Sequence, residues 1–180
     1  MIEVGYHGTA YENAESIIKT RKMKFSSGYD EWLGRGIYFF GDIEDAKWWC
    51  KTRKYSNHAI IKADFEFNNN VINLAMCRHD QESFQKYCDS VQKKSELLPN
   101  RKRRRNYMQL AINKLLEDSQ KSGFIIDAII AIFRENRYFW PNKAVYNDQF
   151  PCMIGQLQIC VFNHDAIKQL SIIEEEALIG

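Results

Sequence analysis

The chain has 180 residues, of which 45% are hydrophobic and 13% aromatic. That composition excludes an intrinsically disordered chain, and the length is enough for a hydrophobic core without staples. A formal net charge of +2 excludes any argument about partners from overall charge, so the distribution along the chain has to carry it.

By size, the expectation is one domain over residues 1–180. The five cysteines, Cys50, Cys77, Cys88, Cys152 and Cys160, are odd in number and irregular in spacing. Met1 leads directly into a strand-like segment, so no signal peptide is expected. Together these features predict free thiols in a reducing cytoplasm. Cys77-Arg78-His79 is a lone Cys-x-His, and no metal site is expected. No apolar run approaches the ~18 residues of a membrane span.

Residues 2–7 read as a short strand ending at His7. Ala10, Ala14, Ile17 and Ile18 then recur at helical spacing and predict a helix over 11–21. Ser26-Ser27-Gly28 breaks that pattern and leads into Trp32-Leu33-Gly34-Arg35-Gly36-Ile37-Tyr38-Phe39-Phe40. Asp42 is placed as the N-cap of a helix over 43–54. From His58 to Phe67 the chain alternates, with Ala59, Ile61, Ala63, Phe65 and Phe67 on one face, which predicts a half-buried strand.

Asn68-Asn69-Asn70 is a turn, followed by a short apolar segment over 71–75. The middle of the chain is helical: Phe84, Tyr87, Cys88 and Val91 share one face, as do Met108, Ala111, Ile112 and Leu115. Between these faces the run from Lys93 to Arg105 is strongly basic with a single acid. Phe124–Phe133 reads as a buried strand, 134–153 as a long loop, and 155–162 as a final strand with Gln156, Gln158 and Cys160 on one side. The tail is expected to hold a short helix from Asp165, then the apolar Leu170–Ile173. Strands first, helices interleaved and strands last predict an α+β fold.

Two stretches place polar or aromatic groups beside glycines: Gly5-Tyr6-His7-Gly8-Thr9 and Gly34-Arg35-Gly36-Ile37-Tyr38-Phe39. Glycine admits close backbone approach, His offers a hydrogen bond and Tyr a ring face, which suits a slot for a flat ligand. Each feature also has a plain structural explanation. His7 can end a strand, Tyr38 can be core, and the glycines can form turns. Gln156 and Gln158 can sit on an ordinary exposed strand face.

Taken together, the two stretches resemble the nicotinamide pocket of the ADP-ribosyltransferase superfamily, on its His-Tyr branch with diphtheria toxin and the poly-ADP-ribose polymerases. His7-Gly8-Thr9 is similar to the first motif of that family and Gly34-Arg35-Gly36-Ile37-Tyr38-Phe39 to the second. Gln156-Leu157-Gln158-Ile159-Cys160-Val161 is similar in placement to the third, with Gln158 where the family carries its catalytic Glu.

The resemblance implies two packed, mostly antiparallel sheets forming a split core, with NAD as co-substrate. It implies that His7 fixes a ribose, Gly8 pairs with the carboxamide, Tyr38 stacks on nicotinamide and Gln158 orients the reacting ribose, with Thr9 and Gly36 beside them. The implied activity is transfer of one ADP-ribose unit from NAD to a protein, RNA or DNA acceptor.

Gln cannot supply a full negative charge, although its amide oxygen can accept a ribose hydroxyl. Slower chemistry is therefore expected, unless Glu135 or Asp148 brings the acid. Gln156, Arg103, Arg104 and Arg105 are candidate acceptor-binding residues, with Tyr107, Tyr138, Phe139 and Trp140 as aromatics that could stack on bases. Trp48 and Trp49 are assigned to packing.

The format resembles bacterial or phage-related toxins of toxin–antitoxin and defence systems, which would allow an antitoxin protein as a partner. The competing functions are an NAD glycohydrolase, an inactive module that binds NAD or ADP-ribose, and an RNA-binding module. The RNA 2′-phosphotransferase branch ranks last, because Arg35 and Arg53 form no matching pattern.

Overall fold

The computed structural model describes residues 3–26, 31–68, 70–95, 107–133 and 155–173. The basic triad Arg103–Arg105, the acids Glu135 and Asp148, the aromatics Tyr138, Phe139 and Trp140, and the expected loop over 134–153 lie outside these residues, as does the side chain of Tyr107.

Seven strands and four α-helices are described. In chain order they are β1 (Val4–Ala10), α1 (Tyr11–Thr20), β2 (Ile37–Phe40), α2 (Ile43–Thr52), β3 (His58–Phe65), β4 (Val71–Asn73), α3 (Arg78–Ser95), α4 (Tyr107–Lys121), β5 (Ala128–Phe133), β6 (Gln156–Val161) and β7 (Ile167–Ile173). The strands form one sheet in the order β4-β5-β6-β2-β1-β3-β7, antiparallel throughout except for the β4–β5 pair.

The α+β class is therefore observed. The expected two packed sheets are instead a single hydrogen-bonded sheet, narrowed to one residue pair between β1 and β2.

Alternation along the strands gives the sheet two buried faces. On one, Ile37, Phe39, Ala63, Phe65, Ile130 and Ile159 pack together, with Phe39 and Phe65 edge to face at 5.0 Å. On the other, Ile129 and Cys160 meet Phe84 and Cys88 of α3 and Ala111 and Ile112 of α4. Farther along this second face, α2 covers Phe40 and Ile60 with Ala46 and Cys50. The predicted Asp42 cap is present, its side chain accepting from the Glu44 N–H at 2.7 Å.

Asp127 fastens the start of β5. It is 1% exposed and accepts from the Asn68 N–H at 2.8 Å and from Asn163 Nδ2 at 2.7 Å, while its carbonyl takes the N–H groups of Phe162 and Asn163.

Several boundaries differ from expectation: β1 runs on to Ala10, so His7 lies inside the strand and does not end it, α2 stops at Thr52 and β3 at Phe65. β5 begins at Ala128 because Phe124 and Ile125 stand in solvent, and an apolar run carries no mark of where its burial starts. The tail forms a 3₁₀ turn at His164–Ala166 and then β7, which gives the outer edge of β3 a hydrogen-bonded neighbour. Among the described residues no helix is long and apolar enough to cross a membrane.

Candidate functional site at the junction of β1 and β2

The register of β1 decides where its main-chain groups point. Phe65 N–H donates to the Glu3 carbonyl and Tyr11 N–H to the Asn57 carbonyl, and both pairs continue the β1–β3 register. In an antiparallel ladder, hydrogen-bonded and non-hydrogen-bonded pairs alternate. Gly5, His7 and Thr9 therefore direct N–H and C=O toward β3, while Tyr6 and Gly8 direct theirs toward β2. The same alternation applies to β2. Gly41 N–H donates to the Leu157 carbonyl, so odd-numbered residues face β6 and Tyr38 and Phe40 face β1.

Tyr6 pairs with Phe40. The next pair in that register would be Gly8 with Tyr38, and the ladder does not reach it. In its place the His7 ring turns across the junction and bonds the Tyr38 carbonyl through Nδ1 at 2.8 Å. The sheet thus opens between the two residues singled out from the sequence.

A carbonyl oxygen only accepts, so His7 Nδ1 carries the proton in this bond and Nε2 is left as an acceptor in the neutral ring. Burial holds His7 below the ordinary imidazole range, with the bond to Tyr38 as a smaller opposing effect. The ring also lies edge-on to Phe39 at 5.8 Å. Thr9, two residues along on the same face, is buried.

Tyr38 projects from the opposite face. Its hydroxyl accepts from the Leu33 N–H at 3.0 Å and donates to the Gly34 carbonyl at 2.9 Å, pinning the turn that precedes β2. Burial, with the Cys160 thiol and the Glu31 carboxylate adding to it, raises the phenol well above its usual range. The buried Cys160 thiol is raised as well.

The glycines have packing reasons of their own. A Cβ on Gly8 would run into the Ala46 carbonyl of α2 and would meet Cys50 Sγ at 2.6 Å. A Cβ on Gly36 would strike Cys160 Sγ and the Val161 carbonyl. Gly34 has φ +85°, which favours glycine, and faces Ile112.

Gln158 lies opposite Phe40 on β6, and its Oε1 accepts from Trp32 Nε1 at 2.8 Å. An indole N–H can only donate, so the amide oxygen must be the atom facing Trp32. The expected ribose acceptor is thus already engaged by a protein donor, with its second lone pair and the Nε2 hydrogens left for other partners. Gln156 is buried on the same side of β6, opposite Phe133.

The structure brings His7, Gly8 and Tyr38 together at the junction, with Thr9 next along β1 and Gln158 one strand over opposite Phe40, whereas Gly36 precedes β2 at the Val161 end of the β2–β6 pairing and Gln156 lies beyond its other end. Two further residues join them that the sequence did not single out for chemistry. Trp49 of α2 is half-buried on the face covering Gly8, tilted against Phe40 at 6.3 Å, with the Arg53 guanidinium 5.4 Å from its ring centre. Glu31 precedes Trp32, and its Oε2 is shut off from solvent. Trp49 sat in a helix pattern that packing explained, and Glu31 in a loop with no pattern.

No family model matches the chain, and no solved structure matches it. An uncharacterized protein of Methanocaldococcus jannaschii is 43% identical to it over 65 residues, which are 33% of this chain and 30% of that protein. The chain thus matches under a third of that relative's length.

Proposed function

We propose that the chain binds NAD where β1 and β2 part and transfers its ADP-ribose unit to a macromolecular acceptor, releasing nicotinamide, on an ADP-ribosyltransferase fold. The observation that carries this proposal is the interrupted ladder between Gly8 and Tyr38. Gly8 directs an N–H and a C=O into the interruption, which is the donor–acceptor pair a carboxamide needs.

In this proposal Gly8 N–H donates to the carboxamide oxygen and Gly8 C=O accepts from its amide. Tyr38 and Trp49 offer aromatic faces on the α2 side of the sheet, suited to a cationic pyridinium ring. His7 Nε2, kept neutral by burial, accepts from a ribose hydroxyl. NAD brings a good leaving group, so the protein's part is to hold nicotinamide, orient the ribose and exclude water.

The test incubates the pure protein with adenylate-labelled NAD, with and without RNA and cell lysate, beside Tyr38→Ala. Label on RNA or protein that disappears in the variant supports a transferase and gives its acceptor class. Nicotinamide release without label makes the protein a glycohydrolase, and no turnover in any mixture rejects an enzyme.

A second reading, a binder of NAD or ADP-ribose without turnover, is favoured by one observation: Gln158 is neutral, and its oxygen is already bonded by Trp32.

A further inference from the structure

We infer that Trp32 locks the Gln158 side chain as a hydrogen-bond donor, so that this point of the site grips an acceptor oxygen of the NAD ribose. This rests on the NAD reading above, and on its binding half alone.

Residues directly opposite one another in a ladder project to the same face of the sheet. Tyr6, Phe40, Gln158 and Ala131 form one such row across β1, β2, β6 and β5, and Tyr38, Cys160 and Ile129 form the next. Gln158 therefore shares a face with Tyr38, one diagonal step away. The row is covered by α2 at Phe40 and joins the cluster of α3 and α4 at Ala131. Gln158 is half-buried between those two covers, where its side chain can still meet a ligand.

Trp32 reaches Gln158 from a turn that is itself held. Leu33 is fully buried, and its N–H and the Gly34 carbonyl are tied to the Tyr38 hydroxyl. The indole ring lies against Phe133 at 5.4 Å and donates through Nε1 to Gln158 Oε1 at 2.8 Å. Turning the amide over would set its NH2 against the indole N–H, two donors with no acceptor between them. The oxygen thus stays on Trp32 and the NH2 points away from it, and no described residue takes those hydrogens.

A free glutamine can accept from a hydroxyl or donate to one. Locked in this way, Gln158 offers its hydrogens, and the ligand atom that matches them is an oxygen lone pair. In the proposal above Gly8 N–H takes the carboxamide oxygen. The next acceptors along NAD are the ribose oxygens, which fall to Gln158. The expectation that its amide oxygen accepts a ribose hydroxyl is thereby reversed, and Trp32 is a positioning residue.

The experiment titrates the ¹⁵N-labelled protein with carba-NAD, an analogue whose bond from ribose to nicotinamide does not cleave. It follows the Gln158 NH2 pair and the Trp32 indole N–H, and it measures Kd for Trp32→Phe, Gln158→Met and the two combined. The expected result is a saturable shift of the Gln158 pair with slowed exchange against water, while the indole N–H keeps its protection. Gln158→Met should weaken carba-NAD by about tenfold and Trp32→Phe by about threefold, and the double variant should bind no more weakly than Gln158→Met alone. Loss of indole protection on binding overturns the inference, because the amide oxygen has then turned to the ligand. Additive losses in the double variant overturn it too, as does a Trp32→Phe Kd equal to that of the wild type. The wild-type spectrum reads the lock directly, so the outcome does not depend on every variant folding. Binding that shifts Gly8 and Tyr38 but leaves the Gln158 pair unmoved rejects this role alone. No shift anywhere at millimolar carba-NAD rejects the NAD reading and this role with it.

Discussion

The two edges of β1 make a sharp contrast. Toward β3, the pairing runs without a break from Val4↔Asp64 to Ala10↔His58. Toward β2, the same strand pairs only Tyr6↔Phe40. Buried main-chain groups are costly to leave unpaired, and most proteins satisfy them within the sheet. Here the Tyr38 carbonyl is satisfied by a side chain, His7, brought from the opposite strand. A strand that is regular on one edge and interrupted on the other shows that the interruption belongs to the junction and not to any weakness of β1. The interruption falls at Gly8, where a Cβ would run into α2.

That contrast can be broken by substitution. The largest effect is expected from Gly8→Ala. Its Cβ would press on the Ala46 carbonyl and on Cys50, so α2 must lift from β1 or β1 must move off β3. A loss of about 3 kcal/mol is expected, read as a lower urea midpoint at unchanged slope.

His7→Ala should come next. It strips the donor from the Tyr38 carbonyl and is expected to cost about 2 kcal/mol by the same measurement, with loss of carba-NAD affinity beyond what stability explains.

Tyr38→Phe keeps the ring and removes the hydroxyl that holds Leu33 and Gly34. It should cost about 1.5 kcal/mol and leave carba-NAD affinity nearly unchanged. Tyr38→Ala should abolish that affinity.

The smallest effect sharpens the contrast through pH. Burial lowers the His7 pKa in the folded chain, so the unfolded chain takes up the proton first as pH falls. The stability contributed by neutral His7 is fully present above the ordinary imidazole value of about 6.5 and is lost progressively below it, down to the lowered folded value. Denaturation midpoints measured across this range should decline on acidification, and His7→Asn should flatten that part of the decline.

The sequence made the local parts of this account legible. The alternation from His58 to Phe67 placed Ala59, Ile61, Ala63, Phe65 and Phe67 on one face, and all five are buried. It could not show that Ile60 is buried as well, because α2 covers that face only in the folded chain. The helix over 43–54 was readable from its Asp cap, a signal held within a few residues. β7 was not, because its strand state depends on β3 offering an edge about a hundred residues earlier.

The site divides in the same way. His7-Gly8 and Gly36-Tyr38 could be picked out as local patterns, and the structure places them across one junction. The Trp32–Gln158 bond joins residues 126 apart and leaves no mark on either local sequence. Glu31, the residue before Trp32, had no periodicity to betray it.

The most direct test of the central claim is a titration of the ¹⁵N-labelled protein with carba-NAD, following the backbone amides of β1, β2 and β3. The account predicts saturable shifts at Gly8 and Tyr38, with the amides of His7 and Thr9, which face β3, moving far less. Unmoved Gly8 and Tyr38 resonances at millimolar carba-NAD, or equal shifts along both edges of β1, would contradict it.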